Sequence, residues 1–171
     1  MNYYVIIRGP LGVGKSTVSR KLAQVVRAEY LSVDRVLDEY DIWYAGRLAE
    51  FLKVNEVVAR SARRLLKKGS SVILDGNFYW KTQIRDLVKR LDHRHFVFTL
   101  TAPLSVCIRR DAQREVPHGT QAAREVFAKS TRFDFGIDVD ATQPLERTVR
   151  EIVSIISGEL HEKPGYHSSG S

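Results

Sequence analysis

A single cysteine, Cys107, stands among 171 residues, which excludes an internal disulfide and any cluster of thiolate ligands. The five histidines show no HExxH-type spacing for zinc. Five prolines and eleven glycines are too few for a collagen-like or proline-rich chain. No apolar run approaches the roughly 20 residues that span a bilayer, and Met1 to Ile7 lacks a basic segment and a small-residue cleavage site, so no signal peptide is expected. A reducing, cytoplasmic setting without membrane contact is the expectation. Acid is in short supply: 20 Asp and Glu face 27 Lys and Arg, a net charge of +7 with a pI near 9.7. That balance favours anionic partners, whether nucleotide phosphates, nucleic acid or acidic metabolites, without choosing among them.

What is present reads as one globular unit, with 43% hydrophobic and 27% charged residues. Tyr3 to Ile7 is a short apolar strand, and Val18, Leu22, Val25 and Val26 mark a helix after it. Tyr30 to Val33 is a second strand, Leu48 to Leu66 a long helix stopped at Gly69, and Val72 to Leu74 a third strand ending at Asp75. A helix over about Lys81 to Leu91, a strand over Phe96 to Leu100 and a helix opened by Pro103 follow. Ile137 to Val139 is the last strand, and Pro144 opens a final helix. Alternating strands and amphipathic helices imply parallel strands with right-handed crossovers, an α/β three-layer sandwich. The expected domain is 1–160, with a charged lid at about 109–135. Residues 161–171 are expected to be a flexible tail, with fraying from Gly158.

Gly9-Pro10-Leu11-Gly12-Val13-Gly14-Lys15-Ser16 satisfies G-x-x-x-x-G-K-[ST], the Walker A phosphate loop, and lies between a strand and a helix. Gly9, Gly12 and Gly14 let backbone N–H groups, Val13 among them, turn inward around a phosphate at a helix N-terminus. Lys15 reaches the terminal phosphates and the Ser16 hydroxyl takes a place on Mg²⁺. Thr17, next in line, caps, packs or joins the nucleotide contacts. ATP and Mg²⁺ are the expected cofactors.

The loop, the chain length and the later motifs resemble the small P-loop kinases, the superfamily of nucleoside monophosphate kinases, shikimate and gluconate kinases and polynucleotide kinase domains. The resemblance covers about residues 3 to 157, comes nearest to the polynucleotide kinase-type domains, and implies a five-stranded parallel sheet in the order 2-3-1-4-5. N-K-x-D is absent, against a signalling GTPase, and the chain is short for an oligomeric AAA-type motor. The resemblance implies that Asp34 is the general base, that Arg35 and Asn77 face the acceptor, and that Asp75 holds Mg²⁺ opposite Ser16. Cys107-Ile108-Arg109-Arg110-Asp111-Ala112-Gln113-Arg114 resembles the C-x-x-R-[ND]-x-x-R stretch of this group. It puts Arg110 along the adenine or phosphates and Arg114 on the terminal phosphate, with Arg132 in support. A shikimate kinase is disfavoured because Ser32 stands where an acid is needed, and the gluconate kinase acceptor motif is missing.

Each reading has a plainer counterpart. Asp34 could cap the following helix, Asp75-Gly76 is a common turn, and Arg110 or Arg114 could pair with Asp111 and Glu115 on a solvated face. Arg60, Arg63, Arg64, Lys67 and Lys68 make a basic stripe that suits nucleic acid or simply complements the helix dipole. Trp43, Tyr44, Phe78, Tyr79 and Trp80 suit base stacking or a core lining. The expected activity is transfer of the γ-phosphoryl group of ATP to a hydroxyl of a small metabolite or nucleoside-like acceptor. A polynucleotide 5′-hydroxyl stays open as the acceptor, and so does a non-catalytic ATP-binding switch or adaptor.

Overall fold

Strand β1 (Tyr4–Arg8) is apolar and buried throughout, and its side chains split between two cores by the period-two rule. Tyr4 and Ile6 enter one cluster, Val5 and Ile7 the other. The computed structural model describes residues 1–42 and 46–161. After β1 come α1 (Lys15–Val26), β2 (Glu29–Ser32), α2 (Val33–Glu39), α3 (Leu48–Lys67), β3 (Val72–Asp75), α4 (Lys81–Leu91), β4 (His95–Thr101), α5 (Leu104–Ala112), α6 (Thr120–Thr131), β5 (Ile137–Asp140) and α7 (Leu145–His161). The strands form one parallel sheet in the order β2-β3-β1-β4-β5. With the helices on its two faces this is the three-layer α/β sandwich expected, in the expected order.

The register sets the site. Ile7 pairs with Asp75, and Ser32 also pairs with Asp75, so the carboxyl ends of β1, β2 and β3 finish at one level. The strand order reverses beside β1, the place where open α/β sheets leave a crevice. On one face α3 buries Phe51, Val54, Asn55, Val58, Ala59, Ala62 and Leu66, a three-and-four spacing that forms a single stripe. It stops at Gly69, which takes a φ of +88°. On the other face α1 and α7 pack Leu22, Val149, Ile152 and Ile156 against Val5, Ile7 and Phe98.

Several boundaries differ from expectation. Tyr3 precedes β1, and Val33 opens α2, because Ser32 accepts a hydrogen bond from the Arg35 N–H at 3.2 Å and starts a helix there. β4 and β5 extend beyond their apolar cores to His95, Thr101 and Asp140, because the ladder continues where the side chains are exposed. The chain does not fray at Gly158: α7 runs to His161, with Leu160 packed on the core and the Glu159 carbonyl accepting from Arg94. Residues 162–171 of the expected tail lie outside the described residues.

The 109–135 segment, the expected lid, is packed against the rest of the chain. It contains the end of α5, a turn and α6, which buries Ala123, Val126 and Ser130. Two arginines fasten it. Arg8 is wholly buried, lies 4.4 Å from the Phe133 ring centre, and donates to Thr99 Oγ1 and the Ser130 carbonyl. Arg132 Nε donates to the Tyr79 carbonyl at 3.1 Å.

Candidate active site

The phosphate loop is shaped by close approach. Gly12 has a φ of +82°, and a Cβ built on it would lie 2.2 Å from the Cys107 carbonyl oxygen. Only glycine lets the loop rest on α5 in this way. Gly14 sits at the N-cap of α1 with no side-chain cap, and the first turn carries no acid. The first amides of α1 are thus left to an anion. Lys15 Nζ donates to the Pro10 carbonyl at 3.2 Å. Burial holds its pKa below the ordinary lysine value, while Asp34 and Asp75 pull the other way. Ser16 and Thr17 are exposed and line the clefts above the loop.

Asp34 projects from the first turn of α2, and its place as a cap is taken by Ser32. Its two oxygens accept from Asn77: the backbone N–H at 2.7 Å and Nδ2 at 3.1 Å. Burial raises its pKa; Lys15 and the Asn77 N–H partly offset the rise, while nearby Asp75 adds to it. Gly76 permits this pairing, since a Cβ there would lie 2.6 Å from Val33 Cβ and 3.2 Å from Asp34 Oδ1. Asp75, at the end of β3, is buried; its Oδ1 accepts from the Tyr30 hydroxyl at 3.1 Å, and its Oδ2 has no partner. The same phenol lies within reach of the Ser16 and Ser32 hydroxyls. Tyr30 is therefore a site residue that sequence reasoning missed. No local signal marks it, because only the β2–β3 register sets its ring beside Asp75.

Two clefts meet over the loop, sharing Gly12, Gly14, Ser16, Thr17 and Arg114. One, of about 620 Å³, runs toward the ends of α5 and β5 and is lined by Arg110, Gln113, Ala141 and Gln143. The other, of about 760 Å³, runs toward α2 and α6 and holds Lys15, Asp34, Arg35 and Asn77. The arginines of the C-x-x-R-[ND]-x-x-R stretch are not equivalent. Arg110 lines the first cleft and its guanidinium donates to the Val13 and Ala141 carbonyls, both at 2.9 Å. Arg114 lies past the end of α5, which closes at Ala112, and so does not share that helix's face with Arg110. It pairs with Asp111 at 3.4 Å, the plainer reading, yet it lines both clefts. Asp111 is buried and also accepts from the His118 and Gly119 N–H groups and faces His118 Nδ1 at 3.1 Å. That carboxylate organises the α5–α6 turn, and it brings His118, given no role on sequence grounds, to the second cleft.

The aromatic run resolves as packing. Phe78 and Tyr79 are buried, and Phe51, Tyr79 and Trp80 meet edge to face at 5.1 to 5.9 Å. Trp43 and Tyr44 lie outside the described residues. The basic stripe sits away from the clefts: Phe51, near the start of α3, lines the second cleft, and Lys68 follows about 25 Å further along the helix axis. Arg60 is exposed and pairs with Glu56 at 3.6 Å. Among the described residues no group of three or more His, Cys, Asp or Glu could hold a metal ion, and no helix is long and apolar enough to cross a membrane.

A parallel sheet ordered 2-3-1-4-5, with a phosphate loop leading from its central strand into α1, is the α/β P-loop kinase fold. Within it the chain belongs to a family described as an AAA domain, whose model matches residues 5–134, from β1 to just past α6. No curated protein matches the sequence. Among solved structures, the chain is similar to a sugar kinase from Janibacter sp. (17% identity, 92% of this chain and 95% of that one, TM-score 0.75). It is similar also to shikimate kinase from Acinetobacter baumannii in complex with shikimate (17% identity, 95% and 97% covered, TM-score 0.63). A third is the APS kinase of Mycobacterium tuberculosis in complex with AMPPNP and APS (17% identity, 91% and 98% covered, TM-score 0.69). At these identities the likeness is one of fold.

Proposed function

We propose that this protein is an ATP-dependent phosphotransferase that moves the γ-phosphoryl group to a hydroxyl of a small acceptor. The observation that carries the reading is Asp34: a carboxylate in the second cleft, oriented by two hydrogen bonds from Asn77 and close enough to Lys15 for each to shift the other's pKa. A helix cap needs no such carboxylate, and a binding switch needs no base. The kinase structures that share the fold support the same chemistry, including those acting on sugar and shikimate.

The loop amides and Lys15 hold the terminal phosphates, and the cleft toward Arg110 and Gln143 takes the nucleoside end. The acceptor hydroxyl sits at Asp34, which accepts its proton as the acceptor oxygen bonds to phosphorus and the bond to the departing ADP oxygen breaks. Arg114, placed over both clefts, neutralises charge on the equatorial oxygens. The residues fit Mg²⁺, which retains waters and binds phosphate oxygens and so needs few protein ligands. Ser16 and the buried, unpartnered Asp75 Oδ2 would hold it, while Tyr30 keeps the other oxygen of Asp75 turned away. Bound there, the ion would supply charge neutralisation across the β- and γ-phosphates.

The test is label transfer from γ-labelled ATP with Mg²⁺, offering a pooled metabolite extract and a 5′-hydroxyl oligonucleotide in parallel. Label on a small molecule is the expected result. Label on the oligonucleotide would reassign the acceptor to nucleic acid, and release as inorganic phosphate alone would favour a switch. Asp34→Asn is expected to leave nucleotide affinity nearly unchanged and to lower transfer at least about a hundredfold; full transfer by that variant would remove Asp34 from the role of base.

A further inference from the structure

The layer built from α3 and α4 carries its charge unevenly. The two helices lie side by side, joined where Asn55 Nδ2 donates to the Gln83 carbonyl at 2.7 Å and to Asp86 Oδ2 at 3.0 Å. At that seam the acids are matched: Glu56 pairs with Arg60 at 3.6 Å, and Asp86 with Arg90 at 2.8 Å. Beyond it the acids run out, since α3 has none after Glu56 and α4 none besides Asp86. Arg63, Arg64 and Lys67 on α3, and Lys81, Arg85 and Lys89 on α4, are all exposed. The last three are spaced by four and form one row along their helix. Among the described residues none of these cations is in an ion pair. Arg63 reaches only the Ala59 carbonyl of its own helix, at 3.4 Å.

The helix dipole accounts for part of this pattern. It favours the cations of the last turns, Arg64, Lys67 and Lys89. Lys81 stands in the first turn of α4, where the dipole opposes a cation, and Arg63 and Arg85 lie outside the last turns. A face that serves only solubility mixes signs, as α7 does with Glu146, Arg147, Arg150 and Glu151. The α3 cations also stand toward the far end of that helix from Phe51 and the second cleft, out of reach of a bound nucleotide.

The chemistry of the face selects its partner. A protein interface has an apolar centre, and a helix bound to a membrane surface presents an apolar side. Neither is offered: the apolar stripes of α3 and α4 are spent in the core, and no large hydrophobic residue exposed in the described chain lies on either helix. Single-stranded nucleic acid is held in large part by bases stacked on aromatic rings. The one aromatic residue of the two helices, Phe51, is buried. A duplex backbone needs only cations. It presents a phosphate charge about every 1.7 Å of its axis, dense enough to meet two cationic rows on helices about 8–10 Å apart.

We propose that the α3–α4 face is a docking surface for double-stranded nucleic acid, held through its phosphate backbone without reading of sequence. The surface is separate from the nucleotide site, and its binding does not depend on the phosphotransferase reading.

Fluorescence anisotropy on the full chain, without ATP, tests this with a labelled DNA duplex of about 20 base pairs. The duplex carries 5′-phosphates, so that no 5′-hydroxyl is offered to the active site. Single-stranded DNA of the same sequence and phosphatidylserine vesicles are run beside it. The duplex is expected to bind with a micromolar Kd at about 0.1 M salt, weakening linearly on a log–log plot against salt. Combining Arg63→Gln, Arg64→Gln, Lys67→Gln and Arg85→Gln should weaken binding at least about tenfold and flatten that slope by about 3 to 4. Lys81→Gln with Lys89→Gln, on α4 alone, should act in the same direction. A matched variant on the other face, with Lys21, Arg27, Arg147 and Arg150 changed to Gln, loses the same charge. It is expected to keep the affinity within about threefold, since charges beyond the Debye length are screened. Equal losses in the matched variants would assign the binding to net charge and overturn the proposal. Absence of duplex binding at about 0.05 M salt, an unchanged slope in the first variant, or tighter binding of the single strand or the vesicles would overturn it as well.

Discussion

At Asp34 the direction of the pKa shift has consequences for rate and for stability. Its carboxyl is raised above the ordinary 3.8 by burial, so kcat/KM should fall on the acid side through a value higher than an exposed aspartate would give. The native state keeps a proton there that the unfolded chain has already released. Stability from this group is therefore present below pH 3.8 and lost as pH rises through the raised native value. Asp34→Asn should accordingly melt at a higher temperature than the parent at pH 7, with the gap closing toward pH 3; calorimetry at the two pH values checks it, and a variant less stable at neutral pH would contradict it. Gly12 makes the complementary case, a residue whose role is to lack a side chain. Gly12→Ala must place a Cβ against the Cys107 carbonyl at a φ of +82°. The conformation alone costs about 1–3 kcal/mol. Weaker nucleotide binding together with a lower melting temperature is expected, and wild-type values for both would show that the loop rests on α5 less closely than the contact implies.

Among elements, the piece after α5 is where the structure adds most to the sequence. Its charge and its Pro117, His118 and Gly119 lead to the expectation of a lid, and the packing of α6 stays unread, because sequence patterning registers exposed charge readily and a two- or three-residue apolar contact poorly. Ala123, Val126 and Ser130 are enough to seat α6, and the cation that fastens it comes from Arg8, more than a hundred residues earlier. An arginine at the end of a strand carries no sign that it will be buried. Its guanidinium loses water on every side, which lowers its pKa to about 10, and the Thr99 hydroxyl and Ser130 carbonyl replace that water only in part. Arg8→Met should cost about 1–3 kcal/mol, with faster amide exchange in residues 130–135 than elsewhere. Uniform acceleration across the sheet would mean that Arg8 supports the core rather than this segment. By contrast α3 and α4 were legible nearly to the residue, since a three-and-four apolar spacing over several turns admits few other readings.

For the whole molecule, the net charge of +7 is concentrated partly on the face of α3 that carries Arg63, Arg64, Lys67 and Lys68. The parallel topology sends that helix away from the crevice toward the opposite end of the sheet, where β3 begins. Replacing these four by Gln should leave kcat and KM within about twofold, since exposed charges separated by more than the Debye length of about 8 Å are largely screened. A larger loss, relieved at high salt, would make the face part of the acceptor's path. What the sequence determined by itself was the phosphate loop and the alternation of the strands with α1, α3, α4, α5 and α7, because a phosphate loop is contiguous and helix and strand periodicities are local. Only the tertiary structure decided which side chains meet around the second cleft. Tyr30 beside Asp75, Phe51 beside Tyr79 and Asn77 on Asp34 are neighbours through strand register and helix crossings. Those long-range pairings depend on how whole elements pack, and no local spacing encodes them.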